Sequence, residues 1–157
     1  TYNTTPVYLR SCIDSVLSQS YDNWELCISD DNSTSDQTKS VINEYVEKYN
    51  NIKATFRKEN GHISKSSNTA LSMAKGDYIS LLDHDDILPP NALFEVVDVI
   101  NKNPDVDLIY TDEDKIDSDG IHIEPFFKPD WSPDFMNSCN MVTHFATIKA
   151  EIIIGVN

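Results

Sequence analysis

The sequence predicts an α/β fold, with a mostly parallel sheet covered by helices on both faces. Two observations carry that expectation. Short apolar runs alternate with stretches of helical spacing through most of the chain. Acidic residues then follow three of the runs, at Asp30-Asp31, at Asp83 to Asp86 and at Asp112 to Asp114. Parallel strands share one C-terminal edge, where ligands bind in open α/β sheets, so all three clusters are expected in one cleft. The 157 residues are expected to form a single domain, residues 1–157, large enough for a core.

Each element has a local reason. Leu9, Cys12, Ile13, Val16 and Leu17 give Pro6 to Ser18 one apolar helical face, and Pro6 suits a first turn. Trp24 to Ser29 alternates and reads as a strand tipped by Asp30-Asp31. Asn32 to Asp36 is turn and capping chemistry. Val41, Ile42, Tyr45, Val46 and Tyr49 then mark a second helix, and Ile52 to Phe56 a short strand. Glu59 to His62 is a turn, with Ser64 as the expected cap of a helix running to Lys75. Tyr78 to Leu82 reads as a buried strand. Pro89-Pro90 punctuate the chain before a helix over Ala92 to Asn101, with Leu93, Val96, Val97 and Ile100 facing inward. Val106 to Tyr110 is a strand, Lys115 to Asp130 a hairpin or irregular excursion around Gly120, and Val142 to Lys149 a further strand.

Charge narrows the partners. A net charge of −14 argues against nucleic acid or an anionic membrane surface, since both call for a basic patch. A nucleotide is still admissible, because a cation can meet its phosphates. No apolar stretch reaches transmembrane length. Cys12, Cys27 and Cys139 are odd in number and widely spaced, and are expected to be reduced core residues of a cytosolic protein. The carboxylates of Asp83 to Asp86 repel one another unless solvated or shared by a cation, and oxygen-only ligands suit Mg²⁺ or Mn²⁺. No twelve-residue calcium loop or Walker-type phosphate loop is present.

Motif order adds a resemblance. Thr1-Tyr2-Asn3, Ser18 to Tyr21, Ser29 to Thr34, Asn60-Gly61-His62, Ser67 to Ala70, Ala74 to Asp77 and Leu82 to Asp86 resemble, in sequence, the family 2 inverting glycosyltransferases of GT-A fold. Tyr110 to Asp117 and Phe127 to Asp134 resemble a bacterial subgroup associated with O-antigen, rhamnan and other cell-surface polysaccharides. The resemblance implies a Rossmann-like GT-A sheet, incomplete at both ends. The family's first strand is expected before Thr1, and its catalytic base after a turn begun by Ile154-Gly155 and beyond Asn157, with Asp112 the fallback.

The resemblance implies a role for each site residue. Asp85 would ligate Mn²⁺ or Mg²⁺, and Asp83 the ribose or the metal. Asp31 would accept from the N3–H of uracil or thymine, which cytosine lacks. Thr1 and Tyr2 would line the base pocket, while His62 and Lys65 approach the diphosphate. Asp112, Asp114, Lys115 and Trp131 would face the acceptor. Plainer readings stand beside these: Asp31 as a helix N-cap, Tyr2 as an ordinary aromatic at a strand end, Lys65 as a solvated helix residue, Asp112 to Lys115 as a salt-bridged turn, Trp131 as a packing anchor.

The activity implied is metal-dependent, inverting transfer from a UDP- or dTDP-sugar to a saccharide or lipid-linked saccharide. Its place would be the cytoplasm, at the inner face of the membrane through the acceptor or other parts of a longer chain. The alternative is a nucleotide-sugar-binding module without turnover. A two-cation phosphohydrolase is a weaker rival, because the Asp31 site and the motif spacing speak against it.

Overall fold

The computed structural model describes residues 1–155 and divides into two compact units. One comprises Thr1–Gly76 with Asp83–Lys102, the other Asp77–Leu82 with residues from Asn103 onward.

The first unit is built on a parallel pair, β1 (Leu26–Asp30) and β2 (Ile52–Phe56), with Leu26 opposite Ile52 and Asp30 opposite Phe56. Helices α1 (Pro6–Leu17) and α2 (Asp36–Lys48) cover one face. Leu9, Ile13, Ile28, Val41, Ile42, Tyr45 and Ile52 form the buried core between them. Side chains alternate along a strand. Ile28 therefore faces that core, while Ser29 faces α3 (His62–Leu71), where its hydroxyl lies 3.0 Å from that of buried Ser66. Helices thus cover both faces of β1. Thr1 pairs with the far end of β1 in parallel fashion: its amino group donates to Ser29 O, and its carbonyl accepts from Asp31 N. Helix α4 (Ala92–Lys102) buries Val96 and half-buries Leu93, Val97 and Ile100, the face expected from its spacing.

In the second unit, β3 (Tyr78–Leu81), β4 (Leu108–Tyr110) and β7 (Ala146–Lys149) form one sheet in the order β3-β7-β4. The strand between runs antiparallel to both neighbours. Alternation of strand and helix carries no sign for a late strand returning against the others. β5 (Glu113–Ile116) and β6 (His122–Phe126) form the hairpin around Gly120, whose φ of +79° suits a residue without Cβ. Two short helices, α5 (Pro133–Ser138) and α6 (Ala150–Gly155), complete the unit.

Several boundaries move. Helix α3 starts at His62 with Gly61 as its N-cap and stops at Leu71, so Ser64 lies inside it and caps nothing. The run at Tyr78 to Leu82 is not a buried strand: Leu81 is 48% exposed, because β3 is an edge strand with a described partner on one side only. The last strand begins at Ala146, since residues 141–145 form turns. Of the cysteines, Cys12 is buried, Cys27 half-buried and Cys139 exposed beside the short α5, so the expectation of three core thiols holds for the first alone. No helix among the described residues is long and apolar enough to cross a membrane.

Candidate functional site

Asp30 and Asp31 end β1 on opposite faces, and both are buried. Asp30 shapes the turn that follows, accepting from the Ser33 amide, the Ser33 hydroxyl and the Thr1 hydroxyl. Asp31 takes the Gly61 amide on both carboxylate oxygens, at 2.9 and 3.1 Å. Arg57 Nε lies 2.8 Å from its Oδ1 as an ion pair without hydrogen-bond alignment, so that buried N–H has no acceptor among the described residues. Asn60 Nδ2 donates to the Asp31 carbonyl. Asp31 is no helix cap: Ser35 caps α2 and accepts from Thr38 N. The carboxylate is instead held where chain start, β1 and the 57–61 loop meet.

Gly61 has no room for a side chain. An added Cβ would stand 2.6 Å from Arg57 Nη2 and 2.7 Å from Lys65 Cβ. His62 follows with φ +59°, and its amide donates to Asn60 Oδ1. The side chains of His62 and Lys65 are exposed at the start of α3, and the Lys65 carbonyl accepts from Arg57 Nη1. Tyr2 is 49% exposed, which leaves its ring available to a flat partner.

The second acidic cluster forms the turn after β3. Asp86 N donates to Asp83 O, and a carboxylate oxygen of Asp86 lies within 4.8 Å of one of Asp83. Asp85 is exposed, its Oδ1 3.9 Å from His84 Nε2. An open turn bearing three carboxylates fits a hard divalent cation. Cys12 donates its thiol to the Asp83 carbonyl at 3.3 Å. Burial, with Asp86, Asp85 and Asp83 nearby, pushes that thiol up to about 12, so it remains a protonated donor.

The third cluster belongs to the second unit and is taken up by local contacts. Asp112 Oδ1 accepts from Lys128 N, Asp114 pairs with His122 at 2.8 Å, and Lys115 pairs with Glu124 across the hairpin. The salt-bridged reading is observed for Lys115, which the hairpin sets opposite Glu124, while Asp114 meets the His122 imidazole. Trp131 is 54% exposed, so it is no packing anchor. Lys128 escaped the sequence reading. Its side chain is 1% exposed, and its ammonium donates to Thr143 O, His144 O and Glu113 Oε2. Burial tends to raise the Glu113 carboxyl, but the His144 amide and Lys128 outweigh it and hold the group below its ordinary value.

Comparison with known proteins places this geometry in a family. The chain is 45% identical over 152 residues to an uncharacterized protein, y4gI, of Sinorhizobium fredii, covering 97% of this chain and 17% of that one. It is 35% identical over 155 residues to the O-antigen biosynthesis protein RfbC of Myxococcus xanthus, covering 99% of this chain and 12% of the relative. It therefore spans under a fifth of either relative. The fold is shared with residues 1–349 of S. aureus TarS solved in complex with UDP-GlcNAc, at a TM-score of 0.80 and 21% identity, over 99% of this chain and 45% of that one. The model of the family described as "Glycosyl transferase family 2" matches residues 1–154, so with a buried carboxylate at the end of β1 and an acidic turn after β3 the chain belongs to glycosyl transferase family 2.

Proposed function

We propose that residues 1–157 are the donor-binding part of a metal-dependent, inverting glycosyltransferase. Its donor is a UDP- or dTDP-sugar, and its acceptor a saccharide or lipid-linked saccharide at the cytoplasmic face of the membrane. The observation that carries this reading is Asp31, a buried carboxylate fixed by Arg57 and the Gly61 amide. An acceptor-only group suits the N3–H of uracil or thymine and meets no proton on cytosine. Thr1 and Tyr2 stand beside it as walls of the base pocket. His62 and Lys65, exposed at the start of α3, are the residues we assign to the phosphate oxygens.

Asp85 and Asp83 are the residues we assign to Mn²⁺ or Mg²⁺, with Asp86 a further carboxylate beside Asp83. Such a cation supplies Lewis-acid stabilisation of the leaving diphosphate. Asp83 also serves as acceptor for a ribose hydroxyl, and the exposure of Asp85 leaves it open to a ligand. Acceptor contacts are assigned to Asp112, Asp114, Lys115 and Trp131, of which Trp131 offers an open ring. Because Asp112 and Asp114 are engaged by Lys128 N and His122, a second reading is favoured for these residues alone: nucleotide-sugar binding without turnover.

The test is calorimetry of UDP, dTDP and CDP with Mn²⁺ or EDTA, followed by an acceptor-dependent assay of diphosphate release. UDP or dTDP binding that strengthens with Mn²⁺ and exceeds CDP binding supports the reading. Equal affinity for all three nucleotides, unchanged by EDTA, would sink it. Robust turnover by this chain would overturn the second reading and make Asp112 the first residue to replace.

A further inference from the structure

Helix α1 and the residues just after it carry a row of buried polar side chains where a core-facing segment ordinarily presents hydrocarbon. Ser15 and Gln19 are 7% and 5% exposed, and Cys12 lies one turn before Ser15. All three aim at the backbone of residues 83–93. The Cys12 thiol donates to the Asp83 carbonyl. The Ser15 hydroxyl donates to its own helix at Cys12 O and accepts from Leu88 N at 3.1 Å. The Gln19 amide nitrogen donates to Pro89 O at 2.8 Å, and its oxygen accepts from Leu93 N at 2.9 Å. Ser20 N adds a backbone bond to Pro90 O.

These contacts have a shared logic. Leu93 lies in the first turn of α4, where backbone N–H groups have no acceptor within their own helix. Pro89 and Pro90 just upstream carry no N–H. Gln19 therefore acts as a cap supplied from just beyond the end of α1. A buried amide costs free energy unless its partners are met, and Gln19 Nε2 donates to Ser15 O at 3.0 Å as well as to Pro89 O, while its oxygen is met by Leu93 N. The anchors fall at both ends of the acidic turn: Asp83 as its first residue, and Leu88, Pro89 and Leu93 after it. Asp85 and Asp86 lie between.

We propose that Cys12, Ser15 and Gln19 are positioning residues that set the shape of the acidic turn for its cation and diphosphate, independently of the base pocket at Asp31. The proposal rests on the donor-and-metal reading above. It requires the metal-dependent part of nucleotide binding to depend on this seam, and the metal-independent part to ignore it.

The experiment measures UDP affinity with Mn²⁺ and with EDTA for the wild type and for Gln19→Met, Ser15→Ala, Cys12→Ala and Cys12→Ser. Amide hydrogen exchange at Leu88 and Leu93 is followed in parallel. The gain from Mn²⁺ should fall about tenfold in Gln19→Met, the lower end for partners that orient metal ligands. Affinity in EDTA should hold, and both amides should exchange faster. Cys12→Ser, which keeps a donor to Asp83 O, should retain the gain that Cys12→Ala loses. If Gln19→Met fails to fold, Ser15→Ala removes a single hydroxyl and carries the same comparison. Faster exchange with the full Mn²⁺ gain would overturn the seam's role, as would an equal loss in EDTA. A wild type without any Mn²⁺ gain would overturn the donor-and-metal reading beneath it.

Discussion

Arg57 Nε stands 2.8 Å from Oδ1 of Asp31, and the two side chains are only 16% and 5% exposed. The guanidinium is pinned from its other side by the Lys65 carbonyl and the Thr69 hydroxyl. A fixed positive charge therefore faces a fixed carboxylate at the end of β1. Removing either partner leaves the other buried and uncompensated, which costs more than the pair itself contributes.

Asp31→Asn tests this pair and the base pocket together. It keeps the shape but replaces one acceptor oxygen by a donor. UDP binding should weaken by about 1–3 kcal/mol, the range for a hydrogen bond to a charged group. CDP binding should change much less. Calorimetry on both nucleotides decides, and equal losses would point to a collapsed pocket.

Gly61→Ala should be more damaging than its single methyl group suggests. The new Cβ meets the Lys65 Cβ at 2.7 Å, on a helix that cannot simply move aside, as well as the end of Arg57. Overpacking of this kind costs about 1–3 kcal/mol. The Gly61 amide would shift away from Asp31, so thermal unfolding and UDP affinity should fall together.

Asp85→Ala should abolish most of the Mn²⁺-dependent gain in UDP affinity and leave binding in EDTA near wild type. Titration with and without metal distinguishes the two. A variant that keeps the gain would move the metal to Asp83 and Asp86.

The Glu113–Lys128 contact predicts acid sensitivity in the second unit. The folded carboxyl of Glu113 lies below its unfolded value of about 4.3. A depressed carboxylate contributes stability above the unfolded pKa and loses it as pH falls through the folded one. Unfolding followed from pH 6 downward should show that loss below about pH 4.3. Glu113→Gln should flatten it. Lys128→Met should do the same and also leave the Thr143 and His144 carbonyls without their donor.

The helices were legible because their apolar spacing is local: Leu9, Cys12, Ile13 and Val16 fix the buried face of α1 without reference to any other residue. The two acidic clusters of the first unit were legible because they sit directly after strand-like runs. What the sequence hid depends on distant partners. Arg57 matters through Asp31, and Lys128 through carbonyls 15 and 16 positions away. A buried lysine and a solvated one look alike until those acceptors are placed. The direction of β7 was hidden for the same reason, since alternation encodes which face is buried and not which way a strand runs. Gly61 was read as a turn residue, but its need to lack a side chain comes from Arg57 and Lys65 packed against it.

The bonds from α1 and Gln19 to the segment 83–93 join residues 70 to 74 positions apart. At a synthesis rate of about 5–20 residues per second, Gln19 is added to the chain roughly 4–15 s before Leu93 exists to meet it. During that interval the polar row of α1 is satisfied by water, and its apolar neighbours can already pack on α2 and β1. Within its unit, the acidic turn thus reaches its full set of anchors only after the opening turn of α4 has been made, well after α1.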